Sequence, residues 1–92
     1  MAHVIITKQT QKAVAKLPRE IQESLATWID RIYFLGLQET RKIKGYHDEP
    51  LKGSRKGQRS VRLNRAYRAI YTFHQNGEIE LVTIIEVHKH KY

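Results

Sequence analysis

The sequence predicts an α+β domain in which two antiparallel N-terminal helices pack on a small, mainly antiparallel twisted sheet, in the order β-α-α-β-β-β. Three observations support this fold class. Apolar residues recur at helical spacing between residues 19 and 35, polar and apolar residues alternate from Gln58 onward, and an Asn76-Gly77 pair separates two alternating runs. Because 92 residues suffice for one compact core, we expect residues 1–92 to form a single domain with one main activity.

The first half of the chain contains the predicted helices. HVIIT, residues 3–7, is typical of a short strand, and Thr7 is suited to cap a helix that begins at residue 8 or 9 and runs to 17. Pro18 ends that helix and opens the next one, and Gly36 is placed for a left-handed C-terminal cap. The apolar residues of the second helix that recur at helical spacing are Ile21, Leu25, Trp28, Ile29, Ile32 and Leu35.

The second half contains the predicted sheet. Residues 37–58 are polar and rich in turn formers, which predicts a long connection with one helical turn near residues 39–43. Three strands follow, over RSVRLN (59–64), AYRAIYTF (66–73) and EIELVTIIEV (78–87). The Asn-Gly pair between the last two supplies the positive φ values that a tight hairpin requires.

The charge of the chain favours a polyanionic partner. Seventeen Lys and Arg against nine Asp and Glu give a net charge of +8, and ten of the 17 fall between Arg41 and Arg68, where Asp48 and Glu49 are the only acids. Such a field attracts polyanions and speeds their encounter. We expect nucleic acid as the partner, ahead of an acidic protein or an anionic membrane.

The composition excludes several classes. Cysteine is absent, which removes disulfides and thiolate metal sites and suits a reducing cytoplasm. HVIIT is too short for the apolar region of a signal peptide, and no run approaches the eighteen or so apolar residues of a membrane span. We therefore expect a soluble cytoplasmic protein without a membrane partner.

A cluster of cations marks the candidate binding surface. Arginine dominates it, and the planar guanidinium matches phosphate oxygens better than the lysine point charge does. Like charges at this density destabilise a fold unless a partner offsets them, so the cluster indicates phosphate binding, although a solvated strand face would have the same composition. Its members are Lys52, Arg55, Lys56, Arg59, Arg62, Arg65 and Arg68.

Candidate acid and base groups lie beside this cluster. Glu49, next to Pro50, is positioned to accept a proton from an RNA 2′-hydroxyl, or else only to neutralise a neighbouring cation. His88, His90 and Tyr92 alternate at the C-terminus and share a face if the strand continues. They indicate proton transfer near neutral pH, or an inert basic tail. A third metal ligand near the His-x-His pair is not evident, so we expect neither a metal nor a small-molecule cofactor.

The segment LKGSRKGQRSVRLNRAYRAIY, followed by a turn, an apolar strand and a terminal HKHKY, resembles the RelE/ParE superfamily of type II toxins, in particular its RelE, YoeB and HigB-like ribonuclease branches. The likeness spans the chain, and its most specific parts are Glu49-Pro50-Leu51-Lys52, Gly57, Tyr67-Arg68-x-x-Tyr71 and the closing His and Tyr. It implies a toxin that cleaves mRNA in the ribosomal A site and is held inactive by a cognate antitoxin protein.

The resemblance also implies roles for individual residues. Glu49 matches the general base of the YoeB-like pattern, Arg68 matches the arginine that holds the scissile phosphate, and Lys52 and Arg62 fall among the cations that bind or polarise it. His90 with Tyr92 resembles a closing His-x-Tyr and is the favoured general acid. Glu86-Val87-His88 stands in the place of a HigB-like Asp-Tyr-His ending, from which it departs at Val87, and this makes His88 the second candidate.

Two other functions are compatible with these residues. A ParE-like gyrase inhibitor shares the fold without the nuclease residues, and Glu49, Arg68 and the terminal histidines together argue against it. In a non-catalytic RNA-binding module the same arginines would bind phosphate and the histidines would be idle.

Overall fold

The computed structural model describes residues 1–89. The helices are α1 (Lys8–Val14), α2 (Arg19–Leu35) and α3 (Leu37–Arg41), and the strands are β1 (Ala2–Ile6), β2 (Glu49–Pro50), β3 (Gln58–Arg62), β4 (Tyr67–Asn76) and β5 (Ile79–Lys89). Two short 3₁₀ turns, Lys44–Tyr46 and Gly53–Arg55, flank β2. Within the described residues, no helix is both long and apolar enough to cross a membrane.

The five strands form one sheet in the order β1-β5-β4-β3-β2. β1 pairs in parallel with β5, whereas the other three pairs are antiparallel. Helix α1 lies against β5 and α2 against β1. The predicted α+β class, with N-terminal helices on a mainly antiparallel sheet, is confirmed.

Helix α1 begins where the sequence predicts and ends earlier. The side chain of Thr7 accepts a hydrogen bond from the backbone N–H of Thr10 at 3.2 Å, which is the expected N-cap. The helix ends at Val14, and the chain continues to Leu17 in a tighter turn, with Leu17 N 3.0 Å from Val14 O. The side chain of Gln22 donates to the carbonyls of Val14 and Leu17, at 2.9 and 3.1 Å, and so satisfies acceptors at this helix end.

Helix α2 supplies the main apolar face of the core. Ile21, Leu25, Trp28 and Ile32 are buried, and the Trp28 ring lies 5.2 Å from the Tyr71 ring on β4. Pro18 is the N-cap rather than the first helical residue.

The prediction that Leu35 belongs to this stripe is wrong, because Leu35 is 42 % exposed and Leu37 is buried instead. Gly36 explains the difference. Its φ of 83° and ψ of 162° differ from the predicted left-handed cap and turn the chain directly into α3.

The predicted long connection over residues 37–58 contains more structure than the sequence indicates. Its helical turn starts two residues earlier than expected, as α3, and buries Leu37 and Thr40. Strand β2 was not predicted. It has only two residues and pairs with β3 through Glu49 opposite Ser60 and Pro50 opposite Arg59.

Strands β4 and β5 form the predicted hairpin, but its loop is Gly77-Glu78, since Asn76 still pairs with Ile79. Only Gly77 of this loop has positive φ, at 62°. A bulge follows at Ile85, where Ile70 pairs with Glu86 but Tyr71 pairs with Ile84. The hydroxyl of Thr10 donates to the bulged carbonyl of Ile85 at 2.7 Å, so α1 fixes the bulge.

The sheet has one face turned to the core and one open face. Residues that pair directly across a ladder share a face, and the faces alternate along each strand. The core face includes Val61, Ala69, Tyr71, Ile84 and Val87, all of which are buried. The open face includes Ser60, Arg62, Arg68, Ile70, Glu86 and His88.

Candidate functional site

Arg68 is the centre of the candidate site. It lies near the start of β4 on the open face, between Arg62 on β3 and His88 on β5, both of which pair with it directly. Its side chain is only 18 % exposed. A cation this enclosed requires partners, and three are present.

Ser60 bonds to one nitrogen of the guanidinium, while Glu49 and the His47 carbonyl share another. The Nε of Arg68 donates to Ser60 Oγ at 2.5 Å. Its Nη2 lies 3.3 Å from Glu49 Oε1 and 3.4 Å from the carbonyl oxygen of His47. The guanidinium is thereby oriented at its inner edge by a buried hydroxyl, while Nη2 faces an exposed carboxylate, because the Glu49 side chain is 63 % exposed.

These groups line an open depression of about 320 Å³ on the sheet. Its lining residues are Glu49, Leu51, Arg55, Ser60, Arg68, Ile70 and His88. The depression brings together residues far apart in sequence, and Glu49, Arg68 and His88 are three of the predicted catalytic residues. A carboxylate, a guanidinium and an imidazole at one depression have the chemistry of a proton acceptor, a phosphate ligand and a proton donor.

Five of the remaining predicted cations lie in two regions beside Arg68. Lys52 and Lys56 flank the 3₁₀ turn Gly53–Arg55 as its exposed caps. Arg55 extends from this turn to β5, where it forms an ion pair with Glu86 beside His88.

Arg62 and Arg65 lie at the other side of Arg68. The Nε of Arg62 donates to Asn64 O at 3.3 Å, which holds its side chain at the end of β3, and Arg65 is exposed in the β3–β4 connection. The depression therefore has cations on both sides.

Arg59 is placed differently. It pairs with Tyr71, on the core face, and its Nε donates to Asp48 Oδ1 at 2.6 Å. Burial by itself lowers the pKa of Arg59, but the hydrogen bond and charge of Asp48 outweigh it and raise the pKa further. Arg59 thus has a carboxylate partner within the fold and lies on the face opposite Arg68.

Asp48 forms a buried cluster with Arg59 and Tyr71 on the core face of the sheet. Its side chain is 1 % exposed and also accepts a hydrogen bond from the Tyr71 hydroxyl at 2.5 Å. Burial and this hydrogen bond raise the pKa of Tyr71, so the phenol keeps its proton. Tyr71, which the sequence assigns to the core, is fully buried.

Sequence reasoning missed Ser60, Asp48 and the backbone of His47. The alternation of β3 places Ser60 on the face of Arg62, and this signal was available in the sequence. Nothing in the sequence indicated that Asp48 would be buried, nor that His47 would adopt the left-handed conformation, at φ 43° and ψ 48°.

Two predicted residues, His90 and Tyr92, lie outside the described residues. Over residues 1–89, no group of three or more His, Asp or Glu side chains is arranged to hold a metal ion.

Comparison with known proteins gives structural neighbours only. No protein-family model and no curated protein matches the sequence. A YafQ mutant from E. coli superimposes with a TM-score of 0.73 at 19 % identity, over 97 % of this chain and 93 % of that one. The YoeB–YefM complex from Staphylococcus aureus gives 0.69 at 19 % identity, over 100 % and 99 %.

A third neighbour is the RelBE2 toxin–antitoxin complex from Mycobacterium tuberculosis. It gives a TM-score of 0.64 at 23 % identity, over 95 % of each chain. The chain therefore has the fold of the RelE, YoeB and YafQ proteins over nearly its whole length, as the resemblance in its sequence implies.

Proposed function

We propose that the protein is the toxin of a type II toxin–antitoxin system and acts in the cytoplasm as a ribosome-dependent endoribonuclease that cleaves mRNA in the A site. The observation that supports this most directly is the contact between Arg68 and Glu49 on the open face, with His88 paired to Arg68 on the other side. The fold shared with YafQ, YoeB and RelBE2 proteins supports the same class.

The proposed reaction is an attack of the RNA 2′-hydroxyl on its own 3′-phosphate. Glu49 accepts the hydroxyl proton, O2′ bonds to phosphorus, and the bond from phosphorus to the 5′-oxygen breaks. A histidine donates the proton that this oxygen requires, which leaves a 2′,3′-cyclic phosphate and a free 5′-hydroxyl. The reaction requires neither a metal nor a cofactor, because side chains supply each proton transfer.

Arg68 stabilises the charge that builds on the phosphorane oxygens. Its Nε is held by Ser60, so the guanidinium is oriented before substrate binds and little reorganisation is required. Lys52, as the exposed cap of the 3₁₀ turn, supplies a second charge. The Glu49 side chain is exposed, so its carboxylate can leave Arg68 and accept a hydrogen bond from a substrate hydroxyl instead.

The proton donor is His90 by the resemblance, with His88 as the second candidate. The geometry at His88 supports a donor at this end of β5, because His88 is exposed and lies directly across from Arg68. Tyr92 is proposed to support the terminal histidine.

The cations around the depression are proposed to bind mRNA and ribosomal RNA through phosphates. Arg62 pairs with Arg68 on the open face, Arg55 lines the same depression, and Lys56 and Arg65 are exposed in the connections beside β3. Arg59 acts on this surface indirectly, through its ion pair with Asp48. An interface of this kind weakens as salt rises, because bound cations are released from the RNA.

An acidic antitoxin protein is the proposed regulatory partner. The YoeB and RelBE2 neighbours are toxin–antitoxin complexes, and a +8 domain favours an acidic partner electrostatically. The end of α2 offers an apolar surface for such a partner, since Phe34 is 89 % exposed and Leu35 is 42 % exposed.

The function is tested by adding the purified protein to ribosomes stalled on a defined mRNA and mapping the ends by primer extension. A new 5′ end within the A-site codon, absent without ribosomes, is expected. Accumulation of gyrase–DNA cleavage complexes with intact mRNA would instead identify a ParE-like inhibitor, and binding to ribosomes without cleavage would identify an RNA-binding module.

A further inference from the structure

Asp48 and Glu49 are consecutive acids with opposite environments. The Asp48 side chain is 1 % exposed and the Glu49 side chain is 63 % exposed. Adjacent residues of an extended segment point to opposite faces of a sheet. Asp48 therefore enters the core side, where Arg59 and Tyr71 hold it, while Glu49 faces Arg68.

The segment that carries Glu49 has little other support. β2 consists of Glu49 and Pro50 at the edge of the sheet, and Pro50 has no N–H to donate to the ladder. Leu51 N continues the pairing to Gln58 O at 2.9 Å. A two-residue edge strand is too short to hold a side chain in place by its backbone pairing alone.

The contacts of Asp48 hold this segment in place, which the backbone pairing of β2 is too short to do alone. The carboxylate accepts from two side chains of adjacent strands, Arg59 Nε at 2.6 Å and the Tyr71 hydroxyl at 2.5 Å, and Arg41 Nε lies 4.0 Å from the same oxygen as Arg59. On the N-terminal side, His47 adopts a left-handed conformation uncommon for a residue with a side chain, and its carbonyl accepts from Arg68. Residues 47 and 49 thus contact Arg68, while Asp48 between them is held by Arg59 and Tyr71.

We propose that Asp48, through Arg59 and Tyr71, is a positioning residue that holds Glu49 at Arg68 in the proposed cleavage reaction. The catalytic consequence rests on the proposed function. The structural consequence, that the buried carboxylate anchors the segment 47–51, does not.

The catalytic test is a double-mutant cycle. Asp48→Asn keeps the size of the side chain and removes its charge, and Tyr71→Phe removes one hydrogen bond while keeping the ring against Trp28. Each lowers the single-turnover cleavage rate, with Asp48→Asn losing about 10- to 100-fold, while ribosome affinity is retained. In a Glu49→Gln background neither substitution lowers the rate further, because the group that they position is already absent.

The control for loss of an acidic charge is Asp30→Asn, an exposed position on α2. It leaves the rate unchanged in both backgrounds. Equal fractional losses from Asp48→Asn in the wild-type and Glu49→Gln backgrounds would overturn the positioning role, since they would mean that Asp48 acts independently of Glu49.

A second test does not depend on activity. The Leu51 amide, which bonds to Gln58 O, exchanges its hydrogen about ten-fold faster or more in Asp48→Asn and also faster in Tyr71→Phe, whereas amides in the centre of the β4–β5 ladder keep their protection. Unchanged protection at Leu51 in both variants would overturn the anchoring role. If the wild-type protein cleaves no mRNA but Leu51 responds as expected, the proposed function is wrong and the anchor is right.

Discussion

Ser60 Oγ lies 2.5 Å from the Nε of Arg68, and Ser60 is buried while Arg68 is the half-enclosed centre of the open sheet face. The two residues lie on adjacent strands, in neighbouring rows of the same face. This contact uses Nε of the guanidinium and leaves Nη2 to Glu49 and the carbonyl oxygen of His47. The serine thus determines the direction in which the arginine can act.

Ser60→Ala is expected to preserve the fold and weaken catalysis. The substitution removes about 1 kcal/mol of stability with the hydrogen bond, and it frees the Arg68 side chain to rotate. We expect roughly a ten-fold lower single-turnover rate with little change in ribosome affinity. Ser60→Thr, which keeps the hydroxyl, is the matched comparison, and equal rates for Ser60→Ala and wild type would show that the contact does not orient Arg68.

Glu49→Gln is expected to remove the general base. The amide keeps the size of the side chain and can still contact Arg68, but it cannot take the 2′-hydroxyl proton. General-base catalysis typically contributes about 10²- to 10⁴-fold, so the single-turnover rate falls within that range while ribosome binding is retained. A rate equal to that of wild type would reduce Glu49 to a neutralising partner of Arg68.

The general acid is identified with a leaving-group substitution. We expect His90→Ala to lose more activity than His88→Ala. When the 5′-oxygen of the substrate is replaced by sulfur, the leaving group needs no proton. This substrate is expected to restore most of the cleavage rate of His90→Ala but not that of Arg68→Ala. If it restores His88→Ala instead, the histidine opposite Arg68 is the acid.

Tyr71 is expected to make the protein sensitive to alkali. Burial and the hydrogen bond to Asp48 raise the pKa of Tyr71 above its ordinary value of about 10. Above that value the unfolded chain loses the phenol proton and the folded chain keeps it, so unfolding releases a proton. The contribution of Tyr71 to the free energy of unfolding is therefore fully present below pH ~10. It falls as the pH rises further, by up to about 1.4 kcal/mol per pH unit.

The measurement is urea unfolding between about pH 8.5 and 11. In Tyr71→Phe the decline above pH ~10 is shallower than in wild type, although the variant is less stable at neutral pH. Parallel slopes for wild type and Tyr71→Phe would contradict the raised pKa.

The sequence was sufficient to predict the elements whose pattern is long. The helical stripe from Ile21 to Ile32 and the alternation through β4 and β5 each extend over many residues, and both were predicted correctly. Strand β2 was missed because two residues show no period and one of them is proline. Leu35 was misassigned because the helical period alone does not show that the chain turns at Gly36, so that Leu37 at the start of α3 is buried while Leu35 is not.

The candidate site was predictable only in part, because a sequence shows residue types but not which side chains are neighbours in space. The arginine cluster and Glu49 are visible as residue types, and the resemblance orders them. Arg59 was assigned to the binding surface along with Arg62, although the two are three residues apart on β3 and alternation places them on opposite faces. A buried carboxylate such as Asp48 is visible only once Arg59 and Tyr71 are adjacent in space.

A-site cleavage by the Arg68→Ala variant tests most directly whether the protein cleaves mRNA at a phosphate held by Arg68. On stalled ribosomes, we expect a single-turnover rate lower by at least about 10²- to 10³-fold, because Arg68 acts mainly on the charge that builds in the transition state. Ribosome affinity stays close to that of wild type and the variant remains folded, with a lower thermal stability because the contacts to Ser60, Glu49 and His47 are lost. The control is Arg19→Ala, which removes an equal charge from an exposed position on α2 and keeps the wild-type rate. A folded Arg68→Ala protein that cleaves mRNA as fast as wild type would contradict the account.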